Sequence, residues 1–230
     1  MDWLSKLVEV DHQFFLFLNG FHNDFWDTVM FFVTRKETWL PFFAVLLCYI
    51  IKNYKNKTVI ILLFLALAIL AGDQISVLIK ESVQRLRPVH DPVIRDLVHN
   101  YYRKGGLYGF LSSHATNAFA LLTFSAYLFR NRYYTYTLLL WALLFSYSRI
   151  YLGVHYPFDI LGGMVLGYFV GNIFYRVLMF VENLFFITRH PTIASTTLSK
   201  QNAATIFLVF IVTFAVVLIS SRNLYAFNIL

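Results

Sequence analysis

The chain alternates long apolar runs with short polar breaks, and the lengths of the runs carry the first prediction. Runs extend from about Trp39 to Ile51, Thr58 to Lys80, Ser113 to Phe129, Thr135 to about Leu152, about Pro157 to Phe180 and about Ala203 to Ser220. A helix needs about 20 apolar residues to cross a bilayer. The pattern therefore predicts an all-α fold, a polytopic transmembrane helix bundle of about six spans. Ahead of it, residues 1–34 break into short pieces, WLSKLVEV, FFLFLNGF and FWDTVMFFVT. None is a clean span, so these predict N-terminal helices lying in or dipping into the interface. The organisation expected is interfacial helices over 1–34, a bundle over 35–200 holding the polar motifs, and an additional C-terminal transmembrane helix over 201–230.

The second run is interrupted only by Gly72, Asp73, Gln74 and Ser76. Between runs lie the basic breaks KNYKNK and RNRYY and one long polar segment, 81–110, rich in Arg, His, Pro and Gly. Consecutive spans joined by short turns run antiparallel. Lys80 at the end of the second, His114 at the start of the third, Arg149 at the end of the fourth, and His155 and Asp159 at the start of the fifth then emerge on one face, together with the 81–110 loop. Topology alone makes them converge.

Composition sharpens the class. Hydrophobic residues make up 59% of the chain, aromatic ones 19% and charged ones 13%, where a soluble domain has roughly a quarter charged. The net charge of +7 is then a matter of loop placement rather than a nucleic-acid footprint. Lys52, Lys55, Lys57, Arg130, Arg132, Arg176, Arg189 and Lys200 fall opposite the convergent face, with Glu182 the one acid among them. The convergent side, without the basic residues of the patches, carries about seven such cations against those eight, so the count barely decides. The compact basic turns near span ends, where the positive-inside rule works best, lead us to expect the polar site outside the cytoplasm. The single cysteine, Cys48, rules out an intrachain disulfide. The N-terminus lacks the basic, apolar and small-residue order of a cleaved leader.

Three patches carry candidate chemistry. KESVQRLRP, Lys80 to Pro88, sets Lys80, Arg85 and Arg87 near a helix terminus, and arginine's planar fork suits phosphate oxygens. In GFLSSHATN, Ser112, Ser113 and His114 open a span where free backbone N–H groups favour an anion. Pro157 in SRIYLGVHYPFD suits the first turn of a helix. Asp159 lies four positions after His155, where a carboxylate on one ring nitrogen fixes the tautomer and leaves the other free. Arg149 adds a cation. Taken together, the set suits metal-free phosphoryl transfer, in which cations hold the phosphoryl oxygens, one His attacks and the other protonates the leaving oxygen. Metal ligation by His114, His155 and Asp159 stays open on the residues alone, opposed by the surrounding positive charge.

These patches resemble, in order and internal spacing, the three signature motifs of the type 2 phosphatidic acid phosphatase superfamily. KESVQRLRP matches Lys, six residues, Arg-Pro. LSSH matches Pro-Ser-Gly-His, with Leu111 for Pro and Ser113 for Gly. SRIYLGVHYPFD matches Ser-Arg, five residues, His, three residues, Asp. The resemblance covers about residues 70–175. It implies that His155 is the nucleophile, Asp159 its orienting partner and His114 the general acid. It further implies that Lys80, Arg87, Ser112, Ser113 and Arg149 bind the phosphoryl group, with no cofactor and no metal. Arg85, His90, His99, Arg103 and Lys104 are candidates for head-group contacts from the loop.

The activity implied is hydrolysis of a terminal phosphate from a membrane lipid. Undecaprenyl diphosphate, lipid A phosphate, phosphatidylglycerol phosphate and phosphatidic acid are the candidate substrates. The SSHATN form resembles a bacterial subgroup, which implies the inner membrane with the site facing the periplasm or cell exterior. The substrate is the one partner implied; no nucleic-acid or protein partner is. A transporter or lipid-binding protein is the alternative from another class. Its translocation path would line the midplane, where only Asp73 and Gln74 come near. The vanadate-dependent haloperoxidase branch is a third reading, and its members resemble soluble proteins.

Overall fold

The computed structural model describes residues 3–185 and 192–226. Its helices are α1 (Trp3–Asn19), α2 (Asp24–Val33), α3 (Leu40–Tyr54), α4 (Thr58–Val83), α5 (Ser113–Phe129), α6 (Arg132–Tyr151), α7 (Pro157–Phe185) and α8 (Lys200–Ala226). Strand pairing among the described residues is limited to one isolated antiparallel bridge, Leu86 with Tyr108. The all-α expectation holds.

Local sequence accounts for most boundaries. Ser112 Oγ accepts the Ala115 N–H to begin α5, and Asn131 Oδ1 accepts those of Tyr133 and Tyr134 to begin α6. Such side-chain oxygens satisfy donors that a helix start leaves free. The Asn131 cap starts α6 ahead of the expected Thr135. α4 runs unbroken through Asp73, Gln74 and Ser76, and the Ser76 hydroxyl is satisfied within it by donating to the Asp73 carbonyl at 2.7 Å. It continues past Lys80 and closes at Gln84, whose φ of 53° is left-handed.

α7 packs most closely on α5. Gly163, Gly167 and Gly171 recur every fourth residue, so they share one face of α7. A Cβ at these positions would fall 2.6 Å from Ser112 O, 2.4 Å from Thr116 O and 2.6 Å from Ala120 O. The two backbones touch only because side chains are missing there, as in small-residue packing between membrane helices. This contact fixes the starts of α5 and α7 against each other. The opposite flank of α7 leaves Val165, Phe169, Ile173 and Phe180 about half-exposed, a surface suited to lipid.

Lys36–Val83, Pro157–Phe185 and Lys200–Leu224 are long and apolar enough to cross a membrane. The first contains both α3 and α4, joined by a short turn at Lys55–Lys57. α5 and α6 are less apolar because they face protein. Their buried Thr116, Ser125 and Ser148 hydroxyls donate to carbonyls of their own or the preceding turn.

The N-terminal helices are fastened to the site end rather than lying apart from it. Asn19 Nδ2 donates to the carbonyls of His99, Ile150 and Tyr151, and its Oδ1 accepts the His99 N–H. In α2, Asp27 Oδ1 accepts the Tyr151 hydroxyl at 2.8 Å and lies 2.7 Å from His99 Nε2. At the far end, Lys57 pairs with Glu182, both almost fully buried, and Glu182 Oε1 also accepts the Ile193 N–H at 2.6 Å. Lys57 is therefore a neutralised interior group rather than a free loop charge. Arg189, counted with the basic residues of that end, lies outside the described residues.

Candidate active site

The two ends of the 81–110 loop are zipped together. Arg87 N–H donates to Leu107 O at 3.1 Å and Gly109 N–H to Arg85 O at 2.8 Å, around the Leu86–Tyr108 bridge. Pro88 holds the residue before it extended, and Arg87 has φ −71° and ψ 156°. In extended backbone, residues two apart share a side. Arg85 and Arg87 both point toward the start of α7. Gly109 crosses so close that a Cβ there would sit 2.9 Å from Asp159 Oδ2.

α7 begins at Pro157, and Asp159 is the third residue of the helix. Its carboxylate reaches back, Oδ2 accepting the Tyr156 N–H at 3.0 Å, the geometry of an acidic residue closing a helix start. The same oxygen lies 3.2 Å from His155 Nδ1. On the other side of the ring, Nε2 lies 3.0 Å from Arg87 Nη1. A guanidinium can only donate, so Nε2 presents its lone pair and the proton resides on Nδ1, facing Asp159. Burial, followed by the charges of Arg87, Arg149 and Lys80, pushes the His155 imidazole well below its ordinary 6.5. The ring is neutral at pH 7.

A cavity of about 930 Å³ opens beside this ring, lined by Lys80, Arg87, Ser113, His114, Arg149 and His155 among others. Lys80 Nζ donates to Ser113 Oγ, which also shares a proton with Ser76 Oγ at 2.6 Å. Asp73, Ser76 and Lys80 lie on one face of α4. Ser113, Asn117 and Leu121 form the facing stripe of α5. His114 stacks on Phe145 with ring centroids 5.5 Å apart. Arg149 Nη1 donates to Thr34 Oγ1 at 2.7 Å, and its buried Nε has no hydrogen-bond partner among the described residues. Farther in, the cavity turns apolar at Phe43, Ile69 and Leu121. Those three residues also line a second cavity, of about 360 Å³, between α3, α4 and α5.

The predicted residues thus separate into groups. Lys80, Arg87, Ser113, His114, Arg149 and His155 share the cavity, with Asp159 directly behind His155. Ser112 is fully buried as the cap of α5, its N–H donating to the Asp159 carbonyl at 3.1 Å, and it does not line the cavity. Of the loop candidates, Arg103 lines the mouth. Lys104 is exposed and His90 half-buried, both outside the lining. His99 stacks on His22 at 3.8 Å and faces Asp27. Arg85 turns from the cavity to Asp159 Oδ1 at 3.1 Å and Asp11 Oδ2 at 2.7 Å. Asp11 and Thr34 escaped the sequence reading. Each is one polar residue in an N-terminal helical segment, and nothing local marks it as facing a site more than a hundred residues away.

Apolar helices around a neutral histidine, its carboxylate and a surplus of buried cations suit a membrane protein that handles a phosphate group. The family model of the PAP2 superfamily matches residues 61–182, and the chain belongs to that superfamily. It is 40% identical over 178 residues to the lipid A 4′-phosphatase of Bacteroides thetaiotaomicron, covering 76% of this chain and 79% of that one. It is 29% identical over 169 residues to the undecaprenyl-diphosphatase BcrC of Bacillus subtilis, covering 73% and 83%. The fold matches the crystal structure of a transmembrane PAP2-type phosphatidylglycerolphosphate phosphatase from Bacillus subtilis. The TM-score is 0.56 at 21% identity, over 80% of this chain and 90% of that one.

Proposed function

We propose that the protein removes a terminal phosphate from a lipid phosphate or diphosphate through a phosphohistidine on His155, without a metal ion. The observation that carries this reading is the clamped imidazole, with Asp159 at Nδ1 and Arg87 at Nε2. It leaves a neutral nucleophilic nitrogen beside the cations that would hold a phosphoryl group. Lys80, Arg87, Ser113 and the free Nε of Arg149 take the phosphoryl oxygens, and Ser112 supports them by fixing the start of α5. His155 Nε2 attacks phosphorus while the bond to the leaving oxygen breaks, and His114, which takes up a proton when the negatively charged phosphate binds beside it, delivers that proton to the leaving oxygen. Water then attacks the phosphohistidine, His114 takes its proton, and the N–P bond breaks to release inorganic phosphate. Asp159 holds the proton on Nδ1 throughout and stabilises the positive charge that develops on the ring.

The apolar extension at Phe43, Ile69 and Leu121 suits a hydrocarbon tail that stays at membrane depth while the head group meets the cations. The 40%-identical relative directs attention first to lipid A phosphate. Undecaprenyl diphosphate, phosphatidylglycerol phosphate and phosphatidic acid complete the set to be tried. The setting we assign is the bacterial inner membrane, with the cavity opening to the periplasm. Phosphate release by detergent-purified protein from these four lipids, with and without EDTA and beside His155→Ala, tests the reading. EDTA-resistant release that disappears in the variant is expected. Full release by His155→Ala, or release abolished by EDTA, would overturn the mechanism.

A further inference from the structure

We propose that Asp11, on the N-terminal helix α1, is a positioning residue for Asp159 that acts through Arg85, making α1 part of the active site. The proposal rests on the reading of His155 as nucleophile and Asp159 as its partner. Asp11 and Asp159 are both fully buried, and one guanidinium lies between them: Arg85 Nη2 is 2.7 Å from Asp11 Oδ2, and Nη1 is 3.1 Å from Asp159 Oδ1. The plane of that guanidinium rests on the Tyr156 ring, 3.9 Å from its centroid. Tyr156 is held in turn by its hydroxyl on Asp91, at 2.8 Å, and by the stacked ring of His12 from α1. Asp11 Oδ1 also accepts the Phe158 N–H at 3.1 Å, capping α7 from a helix 147 residues away in the chain.

The division of labour at Asp159 follows from this clamp. An arginine left to itself pairs with both oxygens of a carboxylate. Here Asp11 holds one arm of the fork, so the other reaches only Oδ1 of Asp159. Oδ2 is left to His155 Nδ1 and the Tyr156 N–H. With the Asp11 charge gone, Arg85 is free to swing onto both Asp159 oxygens and compete with His155 for them. Burial pushes the Asp11 carboxyl above its ordinary 3.8, with the charge of Asp159 adding to the rise and the ion pair with Arg85 and the Phe158 amide opposing it. Besides Arg85 and His155, the charge of Arg87 faces Asp159. None of the cations lining the cavity contacts Asp11, so substrate binding is not its concern.

Asp11→Asn is the informative variant, because it keeps an oxygen to cap α7 while it removes the charge and turns an NH2 group, which cannot accept, toward Arg85. Phosphate release would be measured, on whichever panel lipid the parent cleaves fastest, for Asp11→Asn, Arg85→Met and the double variant, with His155→Ala alongside. We expect kcat of Asp11→Asn to fall about tenfold to a hundredfold, the size of effect seen when the partner of a functional ligand is removed, with KM unchanged. The double variant is expected to come within about twofold of Arg85→Met, because Arg85 carries the contact between the two carboxylates, the Phe158 cap is kept by asparagine, and only the direct charge interaction of Asp11 with Asp159 is left. A kcat within about twofold of the parent, or losses that multiply in the double variant, would overturn the proposal. If Asp11→Asn does not fold, the comparison of the double variant with Arg85→Met decides alone, since it leaves no charge of that pair buried without its partner. An active His155→Ala would overturn the underlying reading instead. An inactive one beside an unaffected Asp11→Asn would overturn this proposal only.

Discussion

Both ends of the bundle bury charge, and they do so to opposite effect. At the far end, Lys57 and Glu182 neutralise each other between α4 and α7, and the Ile193 amide takes up remaining acceptor capacity on Glu182. One cation meets one anion, and nothing is left to bind. At the site end, Lys80, Arg87 and Arg149 line one cavity, while the nearest buried carboxylates, Asp159 and Asp11, are occupied by His155 and Arg85. Donors there exceed acceptors even with Asp73 counted in the lining, and Arg149 Nε has no hydrogen-bond partner among the described residues. A balanced buried pair is a structural pin. An unbalanced cluster is affordable only if an anion completes it, and that imbalance is what marks the site.

The comparison can be broken most forcefully at Asp159. Asp159→Asn keeps the shape but loses the charge that holds the His155 tautomer, and kcat should fall about 10⁴-fold, as for the equivalent loss in a serine-protease triad. A loss below about tenfold in a steady-state assay would show that the pair is not functional. At the far end, Lys57→Met should cost about 3–5 kcal/mol of stability by stranding Glu182. Lys57→Met combined with Glu182→Leu should recover most of it. Thermal unfolding in detergent reads this directly, and activity per folded molecule should not change in either variant. A stable single variant would mean that the pin contributes little.

Arg149→Ala should lower kcat about 10²–10³-fold, the effect of removing one donor from a developing negative charge. The fold should hold, because Thr34 loses only a hydroxyl contact. Unchanged kcat with raised KM would restrict Arg149 to substrate binding. The smallest effect concerns pH. His155 is neutral well below 6.5, so acidification from pH 8 to 6.5 removes none of the nucleophile. Any acid limb belonging to it must lie lower. An imidazole NMR titration of His155 with a midpoint at or above 6.5 would contradict the electrostatics described.

Much of this was legible in the chain, for identifiable reasons. The α5 run from Ser113 to Phe129 was read to the residue, because Ser112 caps it and Arg130 ends it in a left-handed turn. The convergence of Lys80, His114, Arg149 and His155 followed from antiparallel spans alone. The glycines at 163, 167 and 171 carry no such signal in the chain, since only the fold shows the α5 carbonyls lying against them. Asp11 was illegible for a different reason: one of two acids on the N-terminal helix, beside Glu9, reads as solvated until a distant arginine is seen to reach it. Arg85 was in hand from the first motif, but sequence could not tell that it faces the two carboxylates rather than the head group. His90, His99 and Lys104 are polar residues of one loop, and polarity does not say which way a loop folds.

In the mechanism proposed above, His155 carries the phosphoryl group between lipid and water. The most direct test is rapid alkaline quench of the protein mixed with lipid labelled in its terminal phosphate, followed by peptide mapping of the trapped label. The account predicts acid-labile label on the peptide containing His155, and none in His155→Ala. Label on any other residue, or turnover with no trapped label while phosphate release shows a burst, would contradict it.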